Sequence, residues 1–166
     1  MQRMRSPLGL LMVLVMVVPV WGQDLGAGRP APEFALTDLL GETHRLSDYR
    51  GQAVFLNFWA TWCPPCLDEM PSLERVYRAL KGRGLVVVAV SLDTGPRSAV
   101  ESFVKKLALT FPILLDPRGA SVRAYRFPGL PASFLIDRKG RLVAQELGAR
   151  DWNAGEARAR IEALVQ

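Results

Sequence analysis

The stretch Asn57-Phe58-Trp59-Ala60-Thr61-Trp62-Cys63-Pro64-Pro65-Cys66 holds both cysteines of a 166-residue chain. It opens inside a nearly continuous apolar run, Ala53 to Ala60, of the kind that forms strands buried on both faces. From Cys66 to Lys81 the apolar residues Leu67, Met70, Leu73, Val76, Tyr77 and Leu80 recur at helical intervals. A second apolar run, Val86 to Val90, follows. Strand, helix and strand make a βαβ unit with parallel strands and a right-handed crossover. Pro71 falls inside the helical stretch and is expected to kink it, and Gly82 and Gly84 are expected to end it.

Outward from this unit, Ala31 to Asp38 reads as a short extended edge, where Pro32 is tolerated. The turn Leu39-Leu40-Gly41-Glu42 leads into Thr43 to Leu46 and closes a hairpin. Downstream, Ser98 to Leu107 reads as a helix, Phe111 to Leu115 as a short strand and Ala120 to Arg126 as a helical turn. Ser133 to Asp137 and Leu142 to Leu147 form an antiparallel hairpin around residues 138–141, and Glu156 to Val165 is a final helix. This order implies an α/β fold, a mixed central sheet flanked by helices. A content of 49% hydrophobic and 22% charged residues suits one globular domain with a substantial core.

The N-terminus is of another kind. Arg3 and Arg5 precede an uncharged apolar run from Leu8 to Trp21, and Val20-Trp21-Gly22 ends in a small residue. This is the pattern of a cleaved secretory signal peptide over residues 1–22. An uncleaved anchor is the rival, but fourteen helical residues span only about 21 Å of a roughly 30 Å bilayer core. No cysteine lies near the site, which excludes a lipoprotein cleavage motif. Residues 23–29 read as a flexible Gly-rich linker and residues 30–166 as the domain, exported to the periplasm or another extracytoplasmic space. From Gln23 onward, 19 basic against 16 acidic residues leave a charge of +3. The basic residues are scattered rather than striped, so the pI near 9.7 reflects solubility and not a nucleic-acid partner.

The cysteines fall where the apolar strand gives way to the helix. A helix N-terminus offers unpaired N–H groups and partial positive charge, both of which stabilise a thiolate. A lowered thiol pKa supplies both a nucleophile and a good leaving group for thiol–disulfide exchange. Pro64 and Pro65 suit the first turn, where their missing N–H groups have no helical partner to lose. They leave the N–H of Cys66 as the nearest donor to the sulfur. Cys63, at the junction, is expected to face outward and attack. Cys66, a turn further in beside Leu67 and Met70, is expected to be shielded and to resolve the mixed disulfide. A purely structural bridge would close a loop of two residues and restrain the unfolded chain little. A zinc site would need further ligands, and the only histidine is His44, so no metal is assigned.

With NFWATWCPPC at residues 57–66, Glu69-Met70-Pro71 after it, the opening APEFALTDLLG and the later GLPASFLIDRKG, the chain resembles the TlpA/ResA-like thiol–disulfide oxidoreductases of the thioredoxin superfamily. The resemblance runs from about Pro30 to Val165. It implies a thioredoxin-like fold with an N-terminal β-hairpin and an extra central helix. It matches Pro131 to the family's cis-proline, which faces the cysteine pair and lets a client strand pair with Leu130. It implies client contacts at Trp62, Pro64, Pro65, Leu130 and Pro131, with Trp62 covering the site and Trp59 in the core. It further implies reduction of client protein disulfides, such as those of apocytochrome c in cytochrome c biogenesis or of copper-site proteins. The redox-active Cys63–Cys66 disulfide would serve without any cofactor, recharged by a membrane electron donor of the DsbD/CcdA type. The protein is expected to be a monomer.

Two departures stand out. Asn57 occupies the place of the thioredoxins' buried acid, and Pro64 that of the acid between the cysteines of ResA-type proteins. Glu69, three residues past Cys66, reads as a solvated helix carboxylate, with proton transfer as the alternative. Two other functions compete. A peroxiredoxin needs a threonine three residues before its cysteine, and that position is Ala60. A Cu(I) chaperone would suit two thiolates, but its relatives add a histidine downstream of the cysteines and His44 precedes them. His44 reads as a hairpin surface residue and Lys105-Lys106 as a solvated helix face.

Overall fold

A computed structural model describes residues 26–166. The expected leader, residues 1–22, and residues 23–25 lie outside the described residues. The element order is β1 (Ala35–Asp38), β2 (Thr43–Arg45), β3 (Ala53–Trp59), α1 (Pro64–Leu80), β4 (Leu85–Ser91), α2 (Arg97–Lys106), β5 (Ile113–Leu115), α3 (Ala120–Tyr125), β6 (Ala132–Ile136), β7 (Leu142–Leu147) and α4 (Gly155–Leu164). The seven strands form one sheet in the order β2-β1-β5-β4-β3-β6-β7. β3, β4 and β5 run parallel, and the remaining pairs are antiparallel. The expected α/β architecture, with its N-terminal hairpin and a helix, α2, between β4 and β5, is therefore present.

β3 is central because it has no polar face. All seven of its residues are buried. Ala53, Phe55 and Trp59 join a core that includes Met70, Leu73 and Val76 of α1, Val100 of α2 and Ile161 of α4. Val54, Leu56 and Phe58 join the opposite core with Phe34, Leu46 and Tyr125 of α3. Asn57 shares the period of Phe55 and Trp59, so its side chain points toward α1.

Two expectations change in detail. The β1 segment is not an edge strand: it lies between β2 and β5, and β2 takes the edge. Pro32 precedes the ladder and leaves it intact, so β1 can pair on both sides. Helix α1 begins at Pro64 with Cys63 as its N-cap, so both prolines occupy the first turn as expected. His44 is half-buried rather than free on the surface, bonded to Tyr49 Oη at 2.8 Å and Asp38 Oδ2 at 3.2 Å. Gly28 donates to the Leu142 carbonyl at 2.6 Å and Leu142 to the Arg29 carbonyl at 2.8 Å, tying residues 28–29 to the start of β7. Lys105 and Lys106 are exposed on α2.

The β6–β7 turn depends on one glycine. Asp137 Oδ1 accepts the N–H groups of Lys139 and Arg141, each at 2.8 Å. Gly140 closes the turn at φ +75°, and a Cβ there would meet the Arg50 guanidinium. The left-handed region costs a non-glycine residue about 1–2 kcal/mol. Gly140→Ala is expected to lower the unfolding free energy by about that amount, and Gly140→Asn by less. Urea unfolding of the two variants checks this, and an Ala variant as stable as the parent would contradict it.

Candidate active site

β3 ends at Trp59 and the chain turns through Ala60, Thr61 and Trp62 to the cysteines. Cys63 is the N-cap of α1, in extended conformation at φ −106°, ψ 96°. Cys63 and Cys66 are joined in a disulfide, with their Cα atoms 5.3 Å apart. The Cys66 N–H, expected to be free to reach a sulfur, donates instead to the Cys63 carbonyl at 3.0 Å. Cys63 does not face outward as expected. It keeps only 6% of its surface exposed and packs with the α1-side core, while Cys66 keeps none. The difference in access survives on a smaller scale.

The loop ahead of Cys63 is fastened from β4. Asp93, just past that strand, accepts the Thr61 N–H at 3.0 Å and the Thr61 hydroxyl at 2.5 Å. The Ser91 hydroxyl donates to the same carboxylate at 2.7 Å. Trp62 projects from this loop with 66% of its surface exposed, and Pro64 and Pro65 are exposed beside it. Trp59 is fully buried, as expected.

The pairing of Phe58 with Ala132 brings Pro131 level with the end of β3. The Leu130–Pro131 peptide bond is cis. Leu130 is half-buried between the two cores, Pro131 is buried, and the Pro131 carbonyl accepts the Gly148 N–H at 2.9 Å. Leu147, opposite Ala132, adds an apolar surface that is 46% exposed. The structure thus gathers Trp62, the prolines, the disulfide and the Leu130–Pro131 bend at one end of the sheet.

Glu69 corrects the sequence reading. It is not a solvated carboxylate: only 1% of its surface is exposed. Asn57 Nδ2 donates to Oε1 at 2.8 Å and Trp152 Nε1 donates to Oε2 at 2.9 Å. Asn57 Nδ2 also reaches Ser133 Oγ at 3.0 Å, across the β3–β6 ladder. Glu69 lies three residues past Cys66 and so shares its helix face. Burial pushes the Glu69 carboxyl up to about 7, although the bonds from Trp152 and Asn57 pull it down. Asn57, where thioredoxins carry an acid, thus holds an acid supplied from the helix. Trp152, Ser133 and Asp93 were not singled out from sequence. Among them only Trp152, the last tryptophan of the chain, carried a signal: an indole N–H near an apolar helix needs a buried acceptor.

The chain is similar to known proteins over most of its length. Residues 27–145 match the AhpC/TSA family. A thiol-disulfide oxidoreductase ResA of Geobacillus kaustophilus is 47% identical over 118 residues, covering 71% of this chain and 67% of that protein. The ResA of Bacillus subtilis is 39% identical over 121 residues, 73% of this chain and 67% of that protein. A crystal structure from Chlorobium tepidum, described as a thiol:disulfide interchange protein DsbE, superposes with a TM-score of 0.80 at 36% identity. It covers 86% of this chain and 100% of that one. A thiol-disulfide oxidoreductase structure from Bacteroides fragilis gives 0.71 at 27% identity, over 82% and 99%.

Glu69 has a signature in stability. Unfolded, it titrates near the ordinary value of 4.5; folded, near 7. Between these values the folded chain holds a proton that the unfolded chain has released. Stability therefore falls as pH rises through this window and stays lower above it. At about 1.4 kcal/mol per pH unit the loss is on the order of 3 kcal/mol. Glu69→Gln is expected to be more stable than the parent by roughly 2–3 kcal/mol well above neutrality, with the gap closing in acid. Denaturant unfolding of the oxidised proteins at both extremes measures it. An equal gap at both would mean that Glu69 does not titrate in this range.

Proposed function

The chain belongs to the AhpC/TSA family and is a thiol–disulfide oxidoreductase of thioredoxin-like fold, and from that premise we propose that it is an exported reductase of client protein disulfides. The observation that carries the proposal is the pair at the head of α1, with Cys63 at 6% exposure, Cys66 at none, and a buried carboxylate one turn below. In the reduced protein the Cys63 thiolate attacks a client disulfide. An S–S bond forms between Cys63 and the client, and the other client sulfur leaves as thiolate. The Cys66 thiol gives its proton to Glu69, and its sulfur attacks Cys63 Sγ. The second client thiolate leaves and the Cys63–Cys66 disulfide forms. Two electrons pass from protein to client, and no separate cofactor enters the cycle.

Client access is supported by the exposed Trp62, Pro64 and Pro65 and by the Leu130–Pro131 bend at the same end of the sheet. A client strand laid along Leu130 would pair through its backbone, a form of β-augmentation. That mode reads main chain, and clients such as apocytochrome c or copper-site proteins fit it. The apolar run with preceding arginines at residues 1–22 supports export, and a membrane donor of the DsbD/CcdA type would restore the dithiol. Among the described residues no helix is long and apolar enough to cross a membrane.

Two measurements test the order of events and the direction. In the reduced protein, iodoacetamide is expected to modify Cys63 in the Cys66→Ser variant at least tenfold faster than Cys66 in Cys63→Ser. Cys66→Ser is also expected to trap a client mixed disulfide. Equal alkylation rates would reverse or erase the assignment. A reduction potential near thioredoxin's −270 mV or so is expected for a reductase, and a value near about −120 mV would make the protein an oxidant instead.

A further inference from the structure

Arg150 lies in the loop between β7 and α4, two residues before the indole that holds Glu69. Its guanidinium carbon is 5.4 Å from the centre of the Trp152 ring. One Nη pairs with Glu146 of β7 at 2.9 Å, and Nε is buried without a partner. The loop is fastened to α1 through Ser72. The Trp152 backbone N–H donates to Ser72 Oγ at 3.0 Å, and the Ser72 hydroxyl donates to the Glu69 backbone carbonyl at 2.7 Å. Between loop and helix opens a cleft of about 480 Å³, with Asp68, Glu69, Ser72, Arg75, Arg150 and Asp151 on its walls. None of Trp62 to Cys66 lines this cleft. Glu69, almost wholly buried, thus adjoins a cleft that does not include the exposed Trp62–Pro65 surface.

A cation over an indole face is attracted by the ring quadrupole, more strongly when partly desolvated. Arg150, held by Glu146, therefore fixes the plane of the indole whose N–H points at Glu69 Oε2. Its charge also favours the carboxylate form of Glu69. The other charged groups facing the cleft are Asp68 and Arg75 on α1 and Asp151 on the loop, with Arg75 and Asp151 3.9 Å apart. β3 and β6 present only the neutral Asn57 and Ser133.

We propose that Arg150 is a positioning residue for the redox cycle: it clamps the Trp152 indole onto Glu69 and forms a wall of the cleft through which Glu69 exchanges its proton with water. In this way it sets the pH at which Cys66 can resolve the mixed disulfide. The inference rests on Glu69 being the proton acceptor, as proposed above.

The probe is 5,5′-dithiobis(2-nitrobenzoate) added to the reduced protein in stopped flow. The first thionitrobenzoate released reports attack by Cys63, and the second reports attack by Cys66 on the Cys63 adduct. Loss of the Arg150 charge and clamp favours the protonated acid. In Arg150→Met the pH midpoint of the second release is therefore expected to rise by roughly half a unit, a threefold change in proton affinity. The first release should keep the parent profile, and Arg150→Lys should recover most of the shift. If Arg150→Met does not fold, Arg150→Gln carries the same expectation. Glu69→Gln separates the two ideas. If it abolishes the midpoint while the Arg150 variants match the parent, the clamp is wrong. If Glu69→Gln keeps the parent midpoint, Glu69 is not the acceptor and both readings fail. A lower melting temperature with an unmoved midpoint would mean that Arg150 only braces the fold.

Discussion

A carboxylate with 1% of its surface exposed sits between the central strand, the first long helix and the loop after the last strand. An acid so placed is costly unless donors meet it. Glu69 receives one from Asn57 in mid-β3 and one from Trp152, 83 residues later in the chain. The arrangement needs each neighbour in place. Asn57 must face α1, which the period of β3 ensures. Trp152 must fold back onto the helix, which the Ser72 bonds and the edge-on stack of Phe55 against its ring enforce, with centroids 4.6 Å apart. One buried acid thus joins sheet, helix and loop one helical turn past Cys66.

The opposite side of the disulfide is held by a different kind of contact. Asp93 gathers the Thr61 backbone, the Thr61 hydroxyl and the Ser91 hydroxyl, so the loop before Cys63 hangs from the end of β4. The two networks share no residue. The lower one is buried and carries a group whose charge state changes near neutrality. The upper one is half-buried and fixes where Trp62 and Cys63 stand. In the proposed cycle, proton handling and client presentation therefore rest on separate networks of the fold.

The frame was legible where a single physical signal dominated. The run AVFLNFW could only be a strand covered on both faces, and Leu73, Val76 and Leu80 could only be one stripe of a helix. The hairpin at residues 132–147 followed from its turn. The charge of Glu69 argues for solvent, but its position argues for burial. It lies three residues past Cys66 and four before Leu73, inside the buried stripe. Asn57 was the second sign, since a lone amide in an apolar strand must find a partner from the packed helix. Each alone has a bland explanation; together they define the pair. The partial covering of Cys63 was not legible, because exposure of a cap residue depends on packing between distant elements. Neither was the place of Trp152, whose loop is positioned by tertiary bonds and not by local propensity.

Pro71 gives the lower network a further consequence. A proline inside a helix has no N–H for the carbonyl four residues back, here Leu67, and its ring crowds that carbonyl. α1 nonetheless runs unbroken from Pro64 to Leu80, and Pro71 lines the same cleft as Glu69. Pro64 and Pro65 already lack donors at the start. The helix therefore lacks backbone donors at Pro64, Pro65 and Pro71, while the turn between the cysteines keeps the bonds from the Cys66 and Leu67 N–H groups to the Cys63 carbonyl. Side chain contacts brace the segment further: the disulfide, the packing of Met70 in the core, and the two donors on Glu69. Reduction removes the first of these. Protonation of Glu69 changes the third, because an acid with one proton can no longer accept equally on both oxygens. The redox state of the cysteines and the proton on Glu69 thus bear on the same short segment of helix, and in the proposed cycle that segment is where electron and proton transfer meet.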